Sequence, residues 1–216
     1  MHIPLAPVLN LLHEASNGTL ATQYAALAGY PYASAMPYAL DERHWPVICV
    51  SALAEHTRNL RADGRCSFSV VQPGVSDIQN APRLTLIAEA ERFQASAEFR
   101  ARFLRYQPGT ENLLALDFMF FRLRPLRLRY IGGFARMGWI GEDDWAKLPA
   151  YPISEEEALL REFSERVPVG VRVLGIDCLG IDYEIGGLRR RLGFPDAPVA
   201  RERVNEIGAR ALQALA

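Results

Sequence analysis

The chain has 216 residues, half of them hydrophobic and 23% charged, with a formal net charge of -1. That length and composition allow one large folded domain, or one domain with a smaller companion, and exclude a disordered chain. The near-neutral balance excludes a protein built on non-specific attraction to nucleic acid or an anionic membrane, while leaving room for a local basic patch.

In chain order, residues 7–16 place apolar side chains at helical intervals and end in Asn17-Gly18, a stop signal, so a short opening helix is predicted. The stretches Thr19 to Tyr24, Tyr32 to Leu40, Pro46 to Ser51 and Cys66 to Gln72 read as strands, interrupted by one helix over about 53–62 that Asp63-Gly64 closes. A long strand follows at Arg83 to Phe93, then a helix over 96–105 with Phe99 and Phe103 on one face. The run "DFMFFRLRPLRLRYIGGFARMGWI" reads as three more strands, broken at Pro125 and at Gly132-Gly133. About seven strands with few helices in the first 140 or so residues suit an antiparallel barrel, and the absence of β-α-β alternation argues against Rossmann and TIM architectures.

A proline-bounded linker, "LPAYPI" at 148–153, divides residues 1–147 from a smaller unit at 154–216. In that unit "SEEEALLREFSERV" reads as a helix with Ser154 as N-cap and Glu157 three residues on. Three strand-like stretches, "GVRVLGIDCLG", "IDYEIGG" and "LRRRLGF", and a final helix over 198–215 complete a small α/β domain. The expected fold class is therefore mainly β, or α+β, with a barrel followed by a small α/β domain.

Chemistry-bearing residues are sparse. Cys49, Cys66 and Cys178 are far apart among apolar neighbours, which suits reduced, core-filling thiols in a cytosolic protein. The N-terminus lacks a basic region followed by a long apolar run, and no apolar run reaches eighteen residues, so neither export nor membrane spanning is expected. There is no G-x-G-x-x-G or G-K-[ST] loop, no H-E-x-x-H, no spaced Cys/His zinc set and no G-x-S-x-G elbow. What remains is the turn from Ser51 to Leu60, which offers hydroxyls, Arg58 and helix-terminal amides of the kind that cradle a phosphate monoester, with Arg83 available to complete it. The plainer alternative is that Ser51 or Thr57 caps the helix while Arg58 is solvated. Likewise Arg122 with Arg124, and Arg127 with Arg129, form either a solvated sheet face or a surface for an anionic partner.

The ordered set "GTLAT", "GYPYASAMPY", "SALAEHTRNLRADGRCSFSV", "APRLTLIAEAERF" and "IGGFARMGWI" resembles the FMN-binding split barrels related to pyridoxamine 5'-phosphate oxidase. The nearest resemblance is to the branch with the haem-utilisation (HugZ/HutZ-type) proteins. It implies that the strand with Ser34, Ala35, Met36 and Tyr38 lies along a flavin, and that Ser51, Ala52, Thr57, Arg58 and Asn59 hold ribityl and phosphate. It adds Arg83 at a strand facing FMN, and Phe134, with Arg136, reaching across a homodimer interface.

The implied activity is oxidoreductase chemistry at the flavin N5 on a small-molecule substrate; the alternatives are haem binding or haem degradation, and a non-catalytic flavin-binding role. The deazaflavin F420 is a further cofactor option, its acidic tail suiting the four strand arginines. The chain departs from the oxidases in lacking a C-terminal arginine-tryptophan signature and a lysine near the flavin, Lys147 being the only lysine. It departs from haem-degrading relatives in having no histidine beyond His56, and "FSERVPVG" stands where an Asn-x-Asp-His run is usual. No catalytic residue and no metal ligand is assigned.

Overall fold

The computed structural model of the protein describes residues 3–133 and 136–214. The first helix, α1 (Leu5–Glu14), is followed by β1 (Asn17–Gln23), β2 (Pro31–Pro37), β3 (Ala39–Leu40) and β4 (Pro46–Ser51). Next come α2 (Glu55–Ala62), β5 (Arg65–Val71), β6 (Arg83–Phe93) and α3 (Ala97–Tyr106). After a 3-10 segment (Pro108–Ala115), β7 (Phe118–Ile131), β8 (Met137–Gly141) and the single turn α4 (Glu142–Trp145) end the first unit.

The first eight strands form one sheet in the order β2-β1-β5-β6-β7-β4-β3, with β8 also pairing β7. Every pairing is antiparallel. The sheet curls into a half-barrel because β7 is long enough to serve two partners on one edge. Its first half pairs β4 from Ser51↔Phe118 to Val47↔Arg122, and its second half pairs β8 from Arg127↔Gly141 to Ile131↔Met137. Strand alternation sends Leu20, Met36, Phe68, Leu84, Leu86, Leu123 and Leu128 inward, and α1 plugs the barrel with Val8, Leu9, Leu11 and Leu12. Each such side chain taken out of water contributes about 1.5–3 kcal/mol. A polar substitution at Leu12 would open the barrel at its plug.

The sequence reading expected a break at Pro125, but β7 runs through it, with a bulge where the register on β6 shifts between Ile87 and Ala88. A bulge is where a residue without an N–H can sit in a ladder. It also restores the facing of the side chains, so Arg122, Arg124, Arg127 and Arg129 all lie on the outer face while Leu123 and Leu128 stay inside. The expected strand Tyr32 to Leu40 is instead two strands, divided after Pro37, which has no N–H to give the ladder.

The C-terminal unit holds α5 (Ile153–Phe163), β9 (Val171–Ile176), β10 (Gly180–Ile185), β11 (Leu188–Gly193), a 3-10 turn (Arg201–Arg203) and α6 (Val204–Gln213). Its three strands make an antiparallel sheet in the order β11-β10-β9. Ser154 is not an N-cap: α5 starts one residue earlier, after Pro152, and no side chain caps it. α5 and α6 cover the sheet through Leu159, Phe163, Ile176, Ile181 and Leu212. An aromatic cluster of Phe93, Phe99, Phe103 and Phe120, joined by Leu174 of β9, packs between the two units. Among the described residues no helix is long and apolar enough to cross a membrane.

Candidate functional site

β4 delivers Ser51 to the start of α2, where the phosphate cradle was expected. Ser51 Oγ accepts the Leu53 N–H at 3.2 Å and donates to Asp117 Oδ1 at 3.4 Å. Thr57 is fully buried, and its hydroxyl donates to the Ser51 carbonyl at 2.6 Å. Asn59 is fully buried as well, its Oδ1 accepting the Ala25 N–H at 3.0 Å and its Nδ2 donating to Thr22 Oγ1 at 2.9 Å. These two side chains hold the turn and the β1–β2 loop in place and present nothing to a ligand. Of the trio only Arg58 projects, 60% exposed and ion-paired with Glu55 at 3.2 Å.

On β2 the same division appears. Met36 and Tyr38 belong to the barrel core; the Tyr38 hydroxyl donates to the Leu12 carbonyl at 2.6 Å and its ring meets Phe68 edge-on at 5.1 Å. Alternation turns both side chains inward, so what this part of the strand offers outward is its backbone. Ser34 and Ala52 are half-buried and Ala35 is exposed. Ser34 Oγ lies 3.3 Å from His56 Nδ1, and half-burial lowers the His56 pKa, which keeps that imidazole neutral at pH 7. Arg83 spends its Nη1 donors on the carbonyls of Ile78, Gln79 and Ala81, at 2.9, 2.9 and 3.2 Å, so it braces its own loop. Phe134 lies outside the described residues, and Arg136 is exposed. The expected binding residues here that keep some exposure are Ser34, Ala35, Ser51, Ala52 and Arg58, with His56 beside Ser34.

The strand arginines are already partnered. Arg122 pairs with Asp41 at 2.7 Å, Arg124 pairs with Glu89, Glu91 and Glu142, and Arg127 and Arg129 flank Trp139 at 4.3 and 5.6 Å from its ring centre.

A cleft of about 720 Å³ opens between α1, β8 and the C-terminal unit. Its walls are mostly apolar, including Leu5, Leu9, Trp139, Ile140, Leu148 and Phe194. Lys147 stands at its rim, ion-paired with Asp144 at 2.8 Å, and Arg191 closes its floor.

Behind that floor lies a buried polar network that the sequence reading did not find. His13 Nδ1 is 2.6 Å from Asp182 Oδ2, and Tyr106 donates its hydroxyl to the same oxygen at 2.6 Å. Arg191 donates to Asp182 at 2.6 Å and to both oxygens of Asp177 at 2.7 and 2.9 Å. His44 Nδ1 sits 3.0 Å from His13 Nε2. Glu156 receives Arg102 and Arg105, and Arg189 donates to the carbonyls of Ala15 and Tyr106 at 3.0 and 2.6 Å. Burial pushes the Asp182 carboxyl up, but Arg191 and His13 outweigh it and hold that carboxyl well below its ordinary range. Burial depresses both imidazoles, His44 to about 3. The network therefore consists of neutral histidines, ionised carboxylates and guanidiniums. The only hint in the sequence was two aspartates within the apolar "GIDCLGIDY".

No family model matches the chain. It is 29% identical over 148 residues to the chloroplastic non-canonical haem oxygenase HOZ of Arabidopsis thaliana, a match that covers 67% of this chain and 44% of that protein. The chain thus spans less than half the length of this curated relative. Among solved structures it is similar to a haem binding protein from Mycobacterium smegmatis, at 26% identity and a TM-score of 0.63, over 99% of this chain and 98% of that one. A protein of unknown function from Agrobacterium tumefaciens matches over 99% of this chain and 98% of its own, at 23% identity and a TM-score of 0.74. A member of the pyridoxinephosphate oxidase family from Clostridium acetobutylicum matches 65% of this chain and 96% of its own, at 14% identity and a TM-score of 0.51, a likeness of fold alone. With the half-barrel split along β7, the chain has the split-barrel fold of proteins related to pyridoxamine 5'-phosphate oxidase, and it is similar in sequence to a non-canonical haem oxygenase and to a haem binding protein.

Proposed function

We propose that the protein binds haem in the cleft between α1, β8 and the C-terminal unit. The observation that carries this reading is one of extent: the cleft has one wall on the barrel and one on the C-terminal unit, and the likeness to the mycobacterial haem binding protein runs through both. The volume and the apolar walls suit a planar macrocycle, and Lys147 at the rim suits a propionate. The iron is served less well by the described residues, among which no His, Cys, Met or Tyr lines the cleft. Haem would be held by its faces and its acidic edge, which fits binding or transfer, and no haem-cleaving step follows from these residues.

A flavin is the second reading, favoured by the part-exposed residues Ser34, Ala35, Ser51, Ala52, His56 and Arg58, of which Arg58 is a projecting cation in the first turns of a helix. In that reading FMN phosphate meets Arg58, and redox chemistry at N5 serves a small substrate. A homodimer belongs to either reading. Ile87, Met137 and Trp139 are large apolar side chains exposed near Arg127 and Arg129 on the outer sheet face, and a second copy covers them.

Haemin and FMN titrations separate the two. Haemin is expected to give a saturable one-to-one Soret change that Ala6→Trp weakens at least tenfold, because Ala6 is an exposed helix residue on the cleft and a ring there fills it. Equal haemin affinity in Ala6→Trp would remove the cleft from the reading. FMN retention abolished by Arg58→Ala, without haemin binding, would favour the flavin.

A further inference from the structure

We propose that His13, His44 and Asp177 form a binding site for one divalent transition-metal ion of the zinc or cobalt type, which fastens the C-terminal unit to the barrel. The three residues come from α1, from the turn between β3 and β4, and from the loop after β9, and all are buried. Their donor atoms lie within 4.8 Å of one another. His13 Nε2 and His44 Nδ1 are 3.0 Å apart, and His44 Nδ1 is 4.0 Å from Asp177 Oδ2. An ion about 2.1 Å from each donor in tetrahedral geometry needs donors roughly 3.4 Å apart. Those two distances bracket that spacing and the third pair lies within 4.8 Å, so side-chain rotations that draw Asp177 toward the two imidazoles close the site.

The surroundings orient the donors. Asp182 takes the Nδ1 proton of His13 at 2.6 Å, which leaves the Nε2 lone pair facing His44; a carboxylate behind a histidine is the usual support of a metal-bound imidazole. Without an ion His44 Nδ1 donates its proton to His13 Nε2 at 3.0 Å; because His44 Nε2 has no partner, that proton can move to Nε2 when an ion takes both lone pairs, which frees Nδ1 as a ligand. Asp177 uses its two oxygens unequally. Oδ1 accepts from Leu179 N, Gly180 N and Arg191, whereas Oδ2 accepts only from Arg191 and faces His44. Arg191 opposes a cation here, but it is one guanidinium against the two carboxylates Asp177 and Asp182. Two imidazoles and one carboxylate suit zinc or cobalt better than calcium or magnesium, which prefer all-oxygen shells. Water completes the fourth position.

The test uses the full chain with any affinity tag removed. The protein is stripped with a chelator, given one equivalent of cobalt(II) or zinc(II), and passed through a desalting column. One retained equivalent per chain, visible ligand-field bands of tetrahedral cobalt, and a raised melting temperature are expected. Wild-type protein loaded with zinc is expected to show imidazole scattering from two histidines in its X-ray absorption spectrum, a readout that needs no variant. His44→Ala and Asp177→Asn are expected to lose at least tenfold in affinity, and His2→Ala to retain it. Retention below a tenth of an equivalent, a spectrum without imidazole, or unchanged binding in a folded His44→Ala would overturn the site.

Discussion

His13 on α1 and Asp182 on β10 meet at 2.6 Å across 169 residues of sequence, with Tyr106 donating to the same carboxylate oxygen. This contact ties the barrel's plug to the sheet of the C-terminal unit. Removing the carboxylate leaves His13 Nδ1 and the Tyr106 hydroxyl without this acceptor in a dry interior and takes from Arg191 one of its two carboxylate partners. Asp182→Ala is therefore expected to lose about 3–5 kcal/mol of stability, as one-sided breaks of buried pairs do. Urea unfolding at constant slope measures it, and a loss under about 1 kcal/mol would mean that the network is not holding the units together.

Gly175 lies directly across from Asp182 in the β9–β10 ladder. A Cβ there would collide with the Tyr106 hydroxyl and sit 2.5 Å from Glu156 Oε1, both buried and hydrogen-bonded. Gly175→Ala is expected to cost about 1–3 kcal/mol through overpacking. Gly141→Ala, where a Cβ meets nothing within 4 Å, serves as the control and is expected to be near neutral. Thermal unfolding of the pair reads the difference.

The turn before α2 separates structural from surface roles. Thr57→Val keeps the shape but removes the 2.6 Å donor of the Ser51 carbonyl, which keeps only the Ala54 N–H at 3.2 Å, for an expected loss of about 0.5–1.5 kcal/mol. Arg58→Ala, one residue on, removes only an exposed ion pair and is expected to change stability by less than about 0.5 kcal/mol. Comparable losses in both would mean that Arg58 packs more firmly than its exposure indicates.

Burial pushes the Cys66 thiol up to about 12 and the Cys49 thiol up to about 11. At pH 8 both are protonated and unreactive. A charged aromatic disulfide reagent is expected to leave native Cys66 and Cys49 untouched over an hour and to titrate all three cysteines in denaturant. Fast modification of Cys66 in native protein would show that β5 opens locally.

Local pattern was enough for most of the elements. The bounds of β4 and β6 follow from alternation between turn residues, and α3 from the Phe99–Phe103 spacing with Ser96 accepting the Phe99 N–H at its start. The reading of Pro125 as a break was wrong for a reason no local rule contains: the strand itself can bulge beside its proline, here at Leu126, and only pairing with β6 reveals it.

The site divides along the same line. Strand pattern indicated an antiparallel barrel, the resemblance of the ordered motifs implied a split one, and residue types marked a turn rich in hydroxyls, but none of these told which side chains face out. In a strand alternation offers two faces, and which becomes the interior depends on what packs there; α1 filled the barrel and took Met36 and Tyr38 with it. Thr57 and Asn59 were likewise drawn inward, because buried backbone groups at the turn needed partners. His13, His44, Asp177, Asp182 and Arg191 carry no spacing signal, since they lie on segments far apart in sequence. Only the docking of the C-terminal sheet on α1 brings them together, where the low dielectric makes their mutual pairing obligatory.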